Sequence, residues 1–400
     1  MATLVKRIHV HGHIYEDHTS LISINGSYSN CFLLHGLLLT LKMPLPRIGD
    51  FLYVWGSAAL WGTYAMGKML KSAIRHPILY MTATERTERP KCLDDPSLGA
   101  HEYLQLKDVK LHYVANGDKS KPLMLCLHGF PEFWYSWRHQ LKEFSRDFRV
   151  VALDNRGYGD SDKPEEIAEY SLLKLTNDVK EVIERLGYKS CVLVGHDWGA
   201  NIAWVFTIRF PSLVDKLIIM NVPHPKVFIP YIREHREQYV KSWYVFFYQL
   251  PYLPEHFLSA FDFGALKGTF LGKTAGVVNK EHFTKEDMDA YLYVFSQPGA
   301  FTGPVNYYRA LLRQWPYTKK PSASKGPTID IPNVPVLVVW GDQDGALEAD
   351  MAKLSGNYVN NFTLKFVRGC SHWVQQEEPI IVNDIMRTFL ENPLSLKSSL

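Results

Sequence analysis

Asp197, Asp344 and His372 are the residues of this chain whose types and spacing could do chemistry together. Asp197 lies in Gly195-His196-Asp197-Trp198-Gly199. An apolar run, Cys191-Val192-Leu193-Val194, precedes it, and a helical pattern, Asn201-Ile202-Ala203-Trp204-Val205-Phe206, follows. The stretch reads as strand, sharp turn, helix. Glycines on both sides of one residue mark a nucleophile elbow, a strained turn where two segments approach too closely for flanking side chains. The bracketed side chain is displayed above the sheet edge, at a helix N-terminus that favours negative charge. That residue is usually Ser; here it is a carboxylate. Alone, Gly-x-Asp-x-Gly is a loose pattern, and it gains force only from partners farther along.

In elbow enzymes the chain order is nucleophile, acid, histidine. The apolar run 334–340 leads into Gly341-Asp342-Gln343-Asp344, and the run 362–367 into Gly369-Cys370-Ser371-His372-Trp373. Asp344 fits the acid, with Asp342 as runner-up, and His372 fits the base. The run 216–220, where an acid could also stand, ends in Asn221, which cannot serve as one.

An aspartate at the elbow changes the chemistry. Serine there makes an acyl-enzyme and needs histidine to take its proton. A carboxylate is already charged; it displaces a leaving group at saturated carbon and forms an alkyl ester. The ester carbonyl then belongs to the protein, and His372, oriented by Asp344, activates a water to attack it. The resulting oxyanion needs two backbone N–H donors, each contributing on the order of 3–4 kcal/mol. Trp198, next after the elbow residue, supplies one, and Phe130 in His128-Gly129-Phe130-Pro131 can supply the other. This set points to hydrolysis of epoxides or alkyl halides. An epoxide oxygen becomes an alkoxide and requires an acid. Two tyrosine-bearing segments can offer one: Ser242-Trp243-Tyr244-Val245-Phe246-Phe247-Tyr248 and Asn306-Tyr307-Tyr308-Arg309. The pattern alone leaves open which phenols act.

The elements that must position these residues alternate. Buried-strand patterns at 122–127, 150–153, 191–195, 216–220, 334–340 and 362–367 interleave with helical stretches, notably 172–186 and 200–210. An α/β chain with a parallel, doubly wound sheet is implied. Residues 103–106 and 111–114 alternate as an antiparallel pair. Between 223 and 330 the chain is dense in aromatics and reads as an inserted helical cap. The expected organisation is 1–50 unassigned, 51–70 a membrane anchor, 71–97 a linker, 98–222 and 331–400 the two parts of the core, and 223–330 the cap. The anchor expectation rests on the uncharged stretch between Asp50 and Lys68, edged by Tyr53, Trp55, Trp61 and Tyr64. Asn25-Gly26-Ser27 and Asn361-Phe362-Thr363 match glycosylation acceptors, and Met43 is an alternative start.

Composition narrows the classes. The 400 residues are 46% hydrophobic and 21% charged, with a net charge of +3. That suits a globular chain and gives no basic stripe for nucleic acid. The five cysteines form no CxxC pair, and the 16 histidines show no metal spacing. The expected partners are a substrate, water and a membrane. No cofactor or metal is called for.

Together, HGFPEFWYSWRHQ (128–140), DNRGYGDSDKP (154–164), GHDWGA (195–200), SWY…Q (242–249), NYYR (306–309), WGDQD (340–344) and SHW (371–373) closely resemble the α/β-hydrolase-fold epoxide hydrolases. The resemblance covers about residues 93–390. The aromatic N-terminal segment, followed by Asp95-Pro96-Ser97-Leu98-Gly99, is similar to the membrane-anchored animal types 3 and 4. The resemblance implies Asp197 as nucleophile, Asp344 as relay acid, His372 as base, and Tyr244 and Tyr308 as ring-opening acids, with Tyr248 and Tyr307 as local competitors. It implies a lipophilic epoxide, such as an epoxy fatty acid, as substrate, and the endoplasmic reticulum membrane as location. A haloalkane dehalogenase and a non-catalytic lipid-binding protein of the same fold are the alternatives.

Overall fold

The computed structural model describes residues 48–81, 84, 86–314 and 329–391. The expectations for residues 1–47, including Asn25 and Met43, lie outside them.

Eight strands form one sheet: β1 (Ala100–Gln105), β2 (Lys110–Asn116), β3 (Leu123–Leu127), β4 (Arg149–Leu153), β5 (Cys191–His196), β6 (Val214–Met220), β7 (Val336–Gly341) and β8 (Phe362–Val367). Their order is β1-β2-β4-β3-β5-β6-β7-β8. β1, β2 and β4 pair antiparallel, and the pairs from β4 through β8 are parallel. Every residue of β3, β4, β5 and β7 is buried, as expected of strands covered by helices on both faces. Exposed positions return on β1 and β8, the sheet edges.

The helices are α1 (Ile48–Arg75), α2 (Pro77–Met81), α3 (Arg138–Phe144), α4 (Leu172–Arg185) and α5 (Trp198–Arg209), then α6 (Pro225–Glu234), α7 (Arg236–Lys241), α8 (Trp243–Phe247), α9 (Leu253–Leu271), α10 (Lys285–Phe295) and α11 (Thr302–Gln314) between β6 and β7. After β7 come α12 (Asp350–Ser355), α13 (Val374–Glu377) and α14 (Pro379–Glu391). α4 shows how sequence sets such a helix. Ser171 caps it by accepting from the Lys174 N–H, and Leu175, Val179, Val182 and Ile183 form one buried stripe. The cap helices bury their own aromatics, with the Phe270 and Tyr291 ring centroids 4.4 Å apart.

The 71–97 stretch is not a plain linker: α1 runs on to Arg75, and α2 and two short 3₁₀ turns, Lys91–Asp94 and Pro96–Leu98, follow. Arg86 ties it to the cap through Asp262, with both nitrogen–oxygen distances 3.0 Å. α1 covers the 51–70 stretch where an anchor is expected. Among the described residues no helix is long and apolar enough to cross a membrane. One side of α1 packs on the cap instead. Tyr53 meets Phe246 edge to face at 5.4 Å, Tyr239 donates to Ser57 Oγ at 2.9 Å, and Asp50 pairs with Arg233 at 2.8 Å. Apolar composition along α1 therefore serves packing within the chain on that side.

Candidate active site

The site is built at the carboxyl ends of β3, β5, β6, β7 and β8, where the chain leaves the sheet. Ligand sites of open α/β sheets form at that edge, close to where the strand order reverses. Here it reverses around β3, between β4 and β5.

The turn after β5 is the sharp one expected. Asp197 has φ +47°, a left-handed conformation that costs on the order of 1–3 kcal/mol for a residue with a side chain. Its neighbours explain why glycine stands on both sides. A Cβ on Gly199 would lie 2.0 Å from the Leu127 carbonyl oxygen, and one on Gly195 would lie 2.6 Å from that of Gly199. The elbow thus presses α5 against the end of β3 and presents Asp197 at the helix N-terminus.

The three expected residues meet. His372 Nδ1 is 2.8 Å from Asp344 Oδ2, and His372 Nε2 is 3.5 Å from Asp197 Oδ2. Asp344 is buried and fully bonded. Its Oδ1 accepts the backbone N–H of Ala346 at 2.8 Å and of Leu347 at 2.9 Å, and its Oδ2 also accepts Asn221 Nδ2 at 2.8 Å. Asp342, the runner-up, is turned away and accepts the Gly369 N–H at 2.7 Å. Phe130 donates its backbone N–H to Asp197 Oδ1 at 2.7 Å, so one expected oxyanion donor already faces the carboxylate. Trp198 begins α5 beside it, and its side chain joins the pocket wall.

The pocket above Asp197 is lined by Trp198, Asn201, Phe228, Ile229, Tyr244, Val245, Tyr308 and Leu311, among others. Tyr244 and Tyr308 face it together, their ring centroids 5.7 Å apart and nearly perpendicular. Neither phenol has a hydrogen-bond partner among the described residues. The two competitors are placed otherwise. Tyr307 donates to the Arg156 carbonyl at 2.7 Å, and Tyr248 packs behind Tyr308 at 5.0 Å without lining the cavity.

Charge follows this geometry. Burial pulls the Asp197 carboxyl up, but the hydrogen bond and charge of His372, with help from His196 and the Phe130 N–H, bring it below its ordinary range. His372 goes the other way. Burial disfavours its charged form, yet the carboxylates of Asp344 and Asp197 push it up to about 10. Burial first, and the Asp197 charge second, raise Tyr244 and Tyr308 well above the phenol range, so both keep their protons at neutral pH. Such an arrangement sets a carboxylate, an imidazole linked to a second carboxylate, and two neutral O–H donors around an apolar cavity.

Sequence reasoning missed several members. Asn221 was visible only as a residue that could not be the acid; the structure makes it a donor to that acid. Phe228, Ile229 and Leu311 come from cap helices whose aromatic and aliphatic residues all look alike in sequence. Glu132 and His196 sat inside recognised motifs, with nothing in the one-dimensional pattern to show that they touch.

Sheet, elbow and triad order define an α/β hydrolase, and the alpha/beta hydrolase fold family model matches residues 122–379. Epoxide hydrolase 4 of Mus musculus is 44% identical over 354 residues, covering 87% of this chain and 96% of the relative. Epoxide hydrolase 3 of Xenopus tropicalis is 41% identical over 361 residues, covering 89% and 96%. The crystal structure of a Bacillus megaterium epoxide hydrolase in complex with an inhibitor superposes with a TM-score of 0.64 at 35% identity, covering 72% of this chain and 99% of that one. The chain belongs to the epoxide hydrolases of the α/β-hydrolase fold, in the animal type 3 and 4 group.

Proposed function

We propose that the protein hydrolyses lipophilic epoxides, epoxy fatty acids among them, to vicinal diols through an alkyl ester on Asp197. The observation that carries this is the shared wall of one apolar pocket: the Asp197 carboxylate and the proton-bearing Tyr244 and Tyr308 open onto the same space. The tyrosines hydrogen-bond the oxirane oxygen while Asp197 attacks an epoxide carbon. The carbon–oxygen bond of the ring breaks, an ester bond forms, and one tyrosine protonates the alkoxide. Asp197 Oδ2, beside His372, is the attacking oxygen. Oδ1, already under the Phe130 N–H, becomes the ester carbonyl oxygen. Water deprotonated by His372 adds to that carbonyl, Phe130 and Trp198 N–H groups hold the oxyanion, and collapse releases the diol as the departing alkoxide takes the proton of the Asp197 carboxyl, while the proton that His372 gives up on ester formation restores the tyrosine. A haloalkane-dehalogenase reading finds less support: Trp198 and Asn201 line the same pocket, but its two phenols supply the acid that an epoxide oxygen needs and a halide does not. Incubation with an aryl epoxide, an epoxy fatty acid and a chloroalkane tests this. Diol from the epoxides and no halide release are expected; halide without diol would reverse the reading.

The charge on His372 gives a pH prediction. In the free protein two carboxylates hold its proton, up to about 10. Ester formation neutralises Asp197 and leaves Asp344 as the one carboxylate partner, so the imidazolium is less favoured and releases its proton. Hydrolysis of the ester needs neutral His372. Its rate should therefore rise with pH through a midpoint well below that of the free protein. Single-turnover decay of the ester at several pH values, set against an NMR titration of His372 in the free protein, checks this. Equal midpoints would contradict the mechanism.

Membrane association, at the endoplasmic reticulum, is part of the same proposal, in a form suited to α1. The side of α1 turned from the cap exposes Leu52, Leu60, Leu70 and Ile74. Lys68, Lys71 and Arg75 lie near one end of this apolar stripe. An in-plane helix with basic residues beside an apolar face suits the headgroup region of an anionic bilayer. Liposome flotation should place the full chain with phosphatidylserine vesicles, and Leu60→Glu with Leu70→Glu should leave it in the soluble fraction. Undiminished flotation of that variant would exclude α1 as the attachment.

A further inference from the structure

The loop that follows β7 meets the cap through one buried amide. Gln238, on α7, is completely buried, and so is Ser242, immediately before α8. Gln238 Nε2 donates to the Ala346 carbonyl and to Ser242 Oγ, each at 2.9 Å. Its Oε1 accepts the Glu348 N–H at 2.8 Å. Both amide hydrogens are used, and the oxygen has its donor. The partners also fix which way round the amide lies. A carbonyl oxygen only accepts and a backbone N–H only donates, so Nε2 must face Ala346 and Oε1 must face Glu348. Glutamate here would have no hydrogen for Ala346, and methionine would serve neither partner.

The amide joins two parts of the site that lie 108 positions apart in sequence. On the core side, the Ala346 and Leu347 N–H groups hold Asp344 Oδ1, and the Leu347 side chain lines the pocket. Gln238 bonds the Ala346 carbonyl and the Glu348 N–H of that same turn. Glu348 adds a second tie to the cap, its Oε2 accepting the Tyr231 hydroxyl at 2.9 Å. On the cap side, the Ser242 carbonyl accepts the Val245 N–H at 3.0 Å and so opens the helix that carries Tyr244. Tyr308 is held differently. It stands on α11, and its carbonyl accepts Gln249 Nε2 at 2.9 Å.

We propose that Gln238 is a positioning residue that locks the Asp344 turn to the start of the Tyr244 helix, so that relay acid and ring-opening phenol keep one spacing across the seam between core and cap. Gln238 does not line the pocket and acts through the groups it holds. Spacing matters because a misplacement of about 1 Å costs a reaction on the order of 10²-fold. A buried amide with every hydrogen bond filled resists such a shift, since movement strands a polar group away from water.

This role rests on the reading of Tyr244 as an acid and Asp344 as the relay. Two variants of the full chain separate the ties. Ser242→Ala removes the bond to α8 and leaves Gln238 its two bonds to the Asp344 turn. Gln238→Met keeps the length and removes all three. Ester formation is read by rapid quench, and ester decay by single turnover. Ser242→Ala should slow ester formation about tenfold, short of the loss from a full 1 Å shift, and leave decay unchanged. Gln238→Met should slow both steps. In a Tyr244→Phe background Ser242→Ala should cost nothing further, because the hydroxyl it aims is gone. In a Tyr308→Phe background its tenfold cost should remain. Folded variants with both rates at the wild-type level would overturn the proposal, whatever their melting temperatures. So would an equal cost of Ser242→Ala in the two backgrounds. If Tyr244→Phe alone opens epoxides at the normal rate, the acid reading falls, and ester decay in Gln238→Met then decides the tie to Asp344: slowed decay upholds it and unchanged decay ends it.

Discussion

Asp197→Ala yields a folded protein that makes no diol, with turnover down on the order of 10⁴-fold or more, as loss of a nucleophile commonly costs. Folding is expected to survive because the change removes only the carboxylate. The side chains of Asp344 and His372 stay bonded to each other, and Asp344 keeps its donors from Asn221, Ala346 and Leu347. A single turnover in heavy-oxygen water separates covalent from direct attack. In the covalent route the attacking oxygen comes from Asp197 Oδ2, so the first diol carries ordinary oxygen and the label appears in the Asp197 carboxylate. Mass spectrometry of the peptide bearing Asp197 reads this. Label in the first-turnover diol would mean that Asp197 acts as a base on water, and the ester would have to be given up.

Tyr244→Phe combined with Tyr308→Phe is expected to bring ring opening close to the background rate, a loss on the order of 10³-fold, within the range of positioned acid catalysis. The rings stay, and with them their packing: Tyr308 meets Phe130 at 5.4 Å and Trp198 at 5.0 Å, both edge to face. What disappears is the pair of hydroxyl donors, so an epoxide oxygen must leave as a bare alkoxide. Each single variant should retain part of the rate through the remaining phenol. The measurement is the rate of ester formation in a rapid-quench experiment, since steady-state turnover also contains hydrolysis. Tyr307→Phe is the useful contrast. Its phenol is bonded to the Arg156 carbonyl, so the variant should lose about 1 kcal/mol of stability and keep its chemistry. A double variant that still opens epoxides at the normal rate would end the tyrosine assignment.

Much of this site was legible before any coordinates. The Gly-x-Asp-x-Gly turn carries its own geometry, since only glycine tolerates the contacts at 195 and 199. Unbroken apolar runs such as Leu123–Leu127 and Val336–Gly341 announce strands covered on both faces. The order of Asp197, Asp344 and His372 along the chain matched the order of strand ends, and motif resemblance singled out Tyr244 and Tyr308 among several tyrosines. All of these signals are local, or depend on chain order.

What the local pattern leaves open has a different cause. Along α1, an uncharged stretch with flanking tryptophans reads the same whether its neighbours are lipid tails or the aromatic side of a cap. Only the contacts of Tyr53 with Phe246 and of Ser57 with Tyr239 show which side meets the cap. Asn221 and Asp344 are 123 positions apart, and Glu132 and His196 are 64 apart. Pairings at such separations leave no periodic trace in a single sequence. The sequence by itself determined the chemistry available, a carboxylate on a strained turn with an acid and a histidine in order behind it. Tertiary structure decided which phenols face that carboxylate and what holds Asp344 in place. The physical reason is that reactivity resides in residue types, whereas charge state and orientation come from neighbours that only folding brings within hydrogen-bonding distance.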